Sequence, residues 1–313
     1  MRCLIADDLH PALPDMLRAA GLDVHYKPGL SKDAFLEELA SAEILVIRSR
    51  FPVSQDVISA AASLRLIARA GAGLDGIDVD FALSRGIKVL HAAEGNADAV
   101  AEHVLGMMLG LLSRIPEADR AMRSSVWDRE GFRGRELKGR CVGLIGDGNM
   151  GPAVAQRLNA FGCRVIAYDK YRSDWPDNFA ERVDEEAIQA ESDILSLHVP
   201  LTKETWGMIG KAYLKKCRPG LILLNTSRGP VLDLTGIGEL LENGHLSGLA
   251  LDVFPEEPLF KKNISHQEEI LSLLKRPDVL STPHVAGWSS ESYEKISLVL
   301  GQKILHHFSA EGR

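Results

Sequence analysis

The chain has 313 residues, enough for about two domains at roughly 150 residues each, and its 45% apolar and 25% charged residues exclude a disordered or fibrous chain. Lys and Arg number 36 against 43 Asp and Glu, a net charge of −7 without a basic stripe, which argues against gripping a nucleic-acid backbone. The start, MRCLIADDLHP, reads as a first strand and not a signal peptide. Short β-rich apolar runs follow at residues 3–6, 44–47, 66–68 and 87–90, with amphipathic helical stretches near 11–20, 31–40, 54–61 and 78–84. The segment 96–115 differs, because Ala99, Val100, Val104, Leu105, Met107, Met108, Leu109, Leu111 and Leu112 leave almost no polar face. It reads either as a helix passing between two lobes and packing on a second subunit, or as a core helix of one domain. Its most apolar part, VLGMMLGLL at 104–112, is too short to cross a bilayer, so no membrane partner is expected. The strand–helix pattern restarts at 141–145, 164–168, 194–198, 221–224, 249–252 and 279–281. Strands alternating with helices mean parallel sheets covered on both faces, hence an α/β chain of two doubly wound lobes.

Four cysteines (Cys3, Cys141, Cys163, Cys217) lie far apart without a C-x-x-C pair. They read as reduced thiols of a cytosolic protein, neither a disulfide framework nor a zinc site.

Residues 141–151, CVGLIGDGNMG, run from an apolar strand into Gly146-x-Gly148-x-x-Gly151, followed by a helical stretch at 152–161 and a strand ending before Asp169. The glycines allow a tight turn, approach of backbone to a pyrophosphate, and close helix–strand packing. Unpaired N–H groups at the helix start favour the phosphates. Asp169, 23 residues after Gly146, suits the adenosine ribose of NAD and repels the 2′-phosphate of NADP, although Lys170 and Arg172 can soften that exclusion. The other reading of Asp169 is a solvated strand-end acid.

Three polar groups stand just beyond apolar strands: Arg228 in LILLNTSRGPVLD, Glu257 after Asp252 in GLALDVFPEEP, and His284 in VLSTPHVAGW. Ligands of open α/β sheets bind beyond the carboxyl ends of strands. Oxidation of a 2-hydroxy acid needs an imidazole for the proton. It also needs a carboxylate to orient that imidazole and a guanidinium to hold the substrate carboxylate. Each group alone reads equally as a surface or structural residue; behind a dinucleotide fingerprint they point to one site. No G-x-S-x-G elbow, phosphate-binding G-x-x-x-x-G-K-[ST] loop or H-E-x-x-H zinc helix occurs, and no metal is expected.

Taken together, RAGAGLDGID (69–78), GNADAVAEHVLGMML (95–109), GDGNMG (146–151), HVPLT (198–202), NTSRGPVLD (225–233), DVFPEEP (252–258) and TPHVAG (282–287) resemble the D-isomer-specific 2-hydroxyacid dehydrogenase family over essentially the whole chain. The resemblance implies an NAD-dependent enzyme with His284 as acid/base, Glu257 as its partner and Arg228 as substrate clamp. Backbone N–H groups of Ala72 and Gly73 would hold the substrate carboxylate. Asn149 and Met150 would lie at the pyrophosphate turn, His198, Pro200 and Thr205 along the cofactor, and Thr226 and Asp252 near the nicotinamide. It further implies a Rossmann cofactor domain, residues 98–285, inserted into a flavodoxin-like substrate domain, residues 1–97 and 286–313. Two crossings between the lobes would form a hinge, and a cytoplasmic homodimer is expected.

Within the family the chain resembles the catalytic part of the D-3-phosphoglycerate dehydrogenases through VIRSR (46–50) and SRIPEADRAMRSSVWDREGFRGRELKGR (113–140). Arg48 and Arg50 would then meet a substrate phosphate; otherwise Arg48 ends a strand and Arg50 is a surface charge. Two features depart from that likeness. The chain ends at Arg313 without the C-terminal regulatory domain many such enzymes carry, so serine feedback through it is not expected. His284 is followed by Val-Ala-Gly-Trp288, a variant found among glyoxylate and hydroxypyruvate reductases, which remain an alternative. FKKNISHQEEILSLLKR (260–276) reads as a surface helix, and Arg133, Arg135, Lys138 and Arg140 as a solvated face, or as a source of one residue for a neighbouring subunit's site. A reading from another class is a co-repressor that shares these residues and uses NAD to control assembly.

Overall fold

The computed structural model describes residues 1–172, 178–260 and 267–311. By internal contacts the chain divides into two units, Met1–Ala97 with Trp288–Arg313, and Asp98–Gly287. The first unit alternates β1 (Arg2–Ile5), α1 (Ala12–Ala19), β2 (Asp23–Tyr26), α2 (Lys32–Leu39), β3 (Ile44–Ile47), α3 (Gln55–Ala60), β4 (Leu66–Arg69), α4 (Val79–Ser84) and β5 (Lys88–His91). Its sheet is wholly parallel in the order β2-β1-β3-β4-β5, the flavodoxin-like order. The central strands read RCLI, ILVI and LIAR because both faces are covered. Phe35, Leu39 and Ile58 fill one face; Leu13, Leu17 and Ile296, Leu300 and Ile304 of the C-terminal helix Ser290–Glu311 fill the other. Side-chain caps start α2, where Ser31 accepts from the Ala34 N–H at 3.3 Å, and α4, where Asp78 accepts from the Phe81 N–H at 3.0 Å. Each cap contributes about 1 kcal/mol.

The second unit starts with α5 (Ala97–Leu112) and α6 (Ile115–Arg123). Then come β6 (Cys141–Ile145), α7 (Met150–Ala160), β7 (Arg164–Tyr168), β8 (Glu181–Arg182), α8 (Glu185–Glu191), β9 (Ile194–Leu197), α9 (Lys211–Leu214), β10 (Leu221–Asn225), α10 (Ile237–Glu242), β11 (Leu246–Leu251), α11 (Gln267–Leu274) and β12 (Val279–Ser281). Its parallel order, β12-β11-β10-β9-β6-β7-β8, is the doubly wound order, with the direction of winding reversing between β6 and β9. Helices α5 and α7 cover one face, α8 to α11 the other.

The structure bears on the two readings of the 96–115 helix and adds two strands that the sequence did not signal. Helix α5 packs Val100, Val104, Met107 and Met108 into its own unit's core with Val142, Leu144 and Ala250, so its apolarity requires no second subunit. Strands β2 and β8 have no apolar run in the sequence, because as edge strands they keep half-exposed or exposed residues (DVHY and ER). Helix α11 accounts for the later part of the 260–276 stretch, with Ile270 and Leu273 buried; residues 261–266 lie outside the described residues. Among the described residues no helix is long and apolar enough to cross a membrane.

A Cβ added to Gly95 would stand 2.6 Å from the Ile296 backbone of the C-terminal helix. Gly95→Ala is therefore expected to destabilise the first unit by about 1–3 kcal/mol, as overpacking does, measured as a lowered urea midpoint. An unchanged midpoint would mean that this contact is not tight.

Candidate active site

Beyond β6 the chain turns at Gly146, whose φ of +98° lies in the region glycine favours. A Cβ there would meet the His198 carbonyl oxygen at 2.5 Å, and one on Gly151 the Gly146 carbonyl oxygen at 2.6 Å, while nothing lies within 4 Å at Gly148. The turn is closed on its sheet side and open above Gly148. Helix α7 starts at Met150, two residues before the expected start, with Asn149 at the N-cap making no side-chain cap. Its first N–H groups thus stay available at the point where the sheet's winding reverses. This cradle fits the pyrophosphate of a dinucleotide.

Asp169 follows β7. Its Oδ2 accepts from the Asp147 N–H at 2.8 Å, and its Oδ1 from the N–H groups of Tyr171 at 2.9 Å and Arg172 at 3.1 Å. The carboxylate is thereby tied to the glycine turn. Lys170 pairs with Glu204 at 3.0 Å and Arg172 with the buried Asp147 at 2.7 Å. Both nearby cations already face carboxylates, which weakens the case for their softening the exclusion of a 2′-phosphate. A cleft of about 530 Å³ beside Asp169 is lined by Tyr168, Arg182, Val183, Asp184 and Ala187.

At the end of β9 the His198 N–H donates to Ile145 at 2.8 Å, and its Nε2 lies 3.0 Å from the Ser196 hydroxyl. Burial pushes the His198 imidazole down to about 4, so it is neutral at neutral pH. The Thr205 hydroxyl donates to the Pro200 carbonyl at 2.7 Å and accepts from the Thr202 N–H at 2.8 Å, which builds the turn there. The Thr226 hydroxyl is buried without a partner among the described residues. An orphaned hydroxyl at the end of β10 fits a polar group of a bound ligand.

Arg228, Glu257 and His284 all belong to the second unit. Fully buried Asn225 shapes the first loop: its side-chain amide donates to the Arg228 carbonyl at 2.9 Å, and its Oδ1 accepts from the Ser227 N–H at 3.0 Å and hydroxyl at 2.8 Å. Gly229 then packs against the Phe254–Pro255 backbone so closely that a Cβ would collide with it. This contact brings the Arg228 loop against the loop that carries Glu257. The Glu257 Oε1 accepts from the Phe254 N–H at 2.9 Å, and its Oε2 meets Nδ1 of His284 at 2.6 Å. Burial raises the Glu257 carboxyl, but the His284 hydrogen bond, the Phe254 N–H and the charges of His284 and Arg228 outweigh it and hold it below the usual range. The structure therefore joins His284 and Glu257 directly and sets Arg228 within electrostatic reach.

Asp252, expected near the nicotinamide, is fully buried and faces the 282–286 turn. Its Oδ1 accepts from the Thr282 hydroxyl at 2.5 Å and the Val285 N–H at 2.8 Å, its Oδ2 from the Ala286 N–H at 2.8 Å. The His284 N–H donates to the Asp252 carbonyl at 2.7 Å, and His284 takes a φ of +56°. Asp252 thus acts on the backbone that presents the imidazole. Asn225, Thr282 and Gly229 escaped the sequence reading as site-building residues, although each lies inside a motif it quoted.

In the first unit the N–H groups of Ala72 and Gly73 have no partner among the described residues, just beyond β4. Arg48, after β3, stacks its guanidinium 3.7 Å from the Trp288 ring centroid. Burial holds its pKa below the usual arginine value against Asp7, Tyr293 and Asp8. Its N–H donates to Asp7, which follows β1, where this sheet's winding reverses. Arg48 is thus more than a strand end, whereas Arg50 is exposed near Phe51. Of the basic group at 133–140, Arg133 pairs with Glu130, Arg135 donates to the Ser247 hydroxyl at 3.2 Å, and Arg140 to the Glu136 carbonyl at 3.1 Å.

Residues 105–286 match the family model described as D-isomer specific 2-hydroxyacid dehydrogenase, NAD binding domain. A D-3-phosphoglycerate dehydrogenase of Archaeoglobus fulgidus is 36% identical over 98% of this chain and 57% of its own length. The chain thus spans little more than half the length of such relatives. A hydroxypyruvate reductase of Thermotoga maritima is 38% identical over 88% of each protein. The crystal structure of D-lactate dehydrogenase from Aquifex aeolicus, complexed with NAD and lactic acid, is similar with a TM-score of 0.84 and 27% identity, covering 99% of this chain and 96% of that one.

The low value of His198 has a consequence for stability. Between the ordinary histidine value of about 6.5 and about 4, the unfolded chain binds a proton that the folded chain does not. Stability contributed by neutral His198 is complete above that window and is lost as the pH falls through it. His198→Gln is expected to flatten the urea midpoint against pH there; an unaltered slope would show that His198 titrates normally.

Proposed function

Because the chain belongs to the D-isomer-specific 2-hydroxyacid dehydrogenase family, we propose that it transfers a hydride between a nicotinamide cofactor and a D-2-hydroxy acid or its 2-keto acid. The observation that carries this reading is the 2.6 Å contact of His284 Nδ1 with Glu257. A carboxylate on Nδ1 keeps the proton there and leaves Nε2 free to take the hydroxyl proton; it then steadies the imidazolium. Arg228 holds the substrate carboxylate and polarises the reacting carbonyl oxygen. In the first unit, Ala72 and Gly73 offer N–H groups suited to a substrate carboxylate. The nicotinamide, when bound, supplies the acceptor or donor of the hydride.

Gly146, Gly148, Asn149, Met150 and Gly151 hold the pyrophosphate, and Asp169 the adenosine ribose. His198, Pro200 and Thr205 line the cofactor, and Thr226 offers its hydroxyl near the nicotinamide. Asp169, with Lys170 and Arg172 already paired, favours NAD over NADP.

The substrate pair is 3-phosphoglycerate and 3-phosphohydroxypyruvate, with Arg48 and Arg50 at the phosphate. Arg48 supports this, since its stacked guanidinium makes no hydrogen bond among the described residues. Reduction of glyoxylate or hydroxypyruvate is a second reading, favoured by the Thermotoga maritima relative of matching length. Four buried free thiols suit a reducing compartment, which supports a cytoplasmic enzyme. Exposed Ile115, Met122, Val126 and Trp127, in and just after α6, support a homodimer.

A steady-state screen of 3-phosphoglycerate, glycerate, glyoxylate, hydroxypyruvate and lactate, with both cofactors in the matching redox state, should find turnover that prefers NAD(H). His284→Ala should lower that turnover by about 10²–10⁴-fold; full activity in that variant would remove His284 from the chemistry. Light scattering should give twice the chain mass, and Trp127→Glu should reduce it; a monomeric wild type would refute the dimer.

A further inference from the structure

Outside the groups given roles above, His103 on α5 stands in contact with the turn that carries His284. Its Nε2 lies 3.0 Å from the Thr282 hydroxyl oxygen and 3.8 Å from Asp252 Oδ1, and its side chain is about a quarter exposed. The direction of each hydrogen bond follows from the partners. Val285 and Ala286 aim their N–H groups at the Asp252 carboxylate, which is an acceptor, so the Thr282 hydroxyl gives its single proton to Oδ1. Toward His103 that hydroxyl can then only accept. The His103 ring must carry its hydrogen on Nε2, giving a directed chain from His103 through Thr282 to Asp252.

We propose that His103 is a positioning residue for the reaction: by donating Nε2–H to Thr282 it holds the hydroxyl on Asp252 and so sets the left-handed turn that aims His284 at the substrate. The inference rests on the proposed role of His284. A left-handed φ is strained at a non-glycine residue, so the turn persists only while its partners hold it. Loss of the His103 donor leaves Thr282 free to rotate and removes one anchor of the turn. The imidazole then reaches its proton with less favourable geometry, which lowers kcat more than KM.

The test compares His103→Leu, His103→Gln, Thr282→Val and the double variant His103→Leu/Thr282→Val in the intact protein. His284→Ala serves as control, with the 2-keto acid best turned over in the screen. His103→Leu should lose roughly 10- to 100-fold in kcat, the order that a misplacement of about 1 Å costs. His103→Gln, which keeps an N–H donor, should recover most of it at an equal melting temperature. The double variant should be no slower than Thr282→Val alone, since one residue acts through the other. Nitrogen-15 NMR should show the Nε2–H tautomer of His103 in the wild type.

Full kcat in His103→Leu beside an inactive His284→Ala would overturn this proposal and leave the His284 mechanism standing. So would multiplicative losses in the double variant, a stable His103→Gln as slow as the Leu variant, or an Nδ1–H tautomer at His103. Full activity in His284→Ala would overturn both.

Discussion

At the end of β11 the Asp252 carboxylate, out of contact with water, gathers the Thr282 hydroxyl and the N–H groups of Val285 and Ala286. Hydrogen bonds to a charged acceptor contribute about 1.5–3 kcal/mol each, more than the strain of the positive φ at His284. The turn from β12 therefore wraps around one buried acceptor, and the imidazole is delivered to Glu257 from a strained backbone. Without that acceptor, the buried Ala286 N–H and the part-buried Val285 N–H would lose the partner they have here.

The rest of the cluster depends on how closely neighbouring loops can approach. Gly229 lies against the Phe254–Pro255 backbone, and Asn225 closes the loop around Arg228 from beneath. Strands β9, β10, β11 and β12 lie side by side in one parallel sheet, so their carboxyl ends all open on the same edge. His198, Arg228, Asp252 and His284 all follow these strands. The glycine turn and His198 occupy the reversal of winding between β6 and β9, where the helices diverge to opposite faces and leave a crevice.

Strands buried on both faces announce themselves as apolar runs, and β3, β6, β9 and β10 were legible for that reason. Strands β2 and β8 were not, because a strand near the sheet edge can keep polar side chains and still form its ladder. The apolar α5 was recognised as buried, but what buries it was open; its own sheet does so. The pairing of Lys170 with Glu204 joins residues 34 positions apart, which no local pattern signals. His103 likewise meets Thr282 across 179 positions.

The order of strands and helices, the glycine turn and the residue types able to move a proton or hold an anion were determined by the sequence alone. Periodicity and turn chemistry are local properties, and those residues lie within a few positions of the strand ends that carry them. That Asp252 shapes a turn, that Lys170 and Arg172 face carboxylates, and that His103 reaches the same turn as Asp252 were decided only by tertiary structure. These contacts depend on side-chain direction and on close approach of backbones distant in the chain, and a hydrogen bond is sensitive to a few tenths of an ångström that spacing along the sequence does not encode.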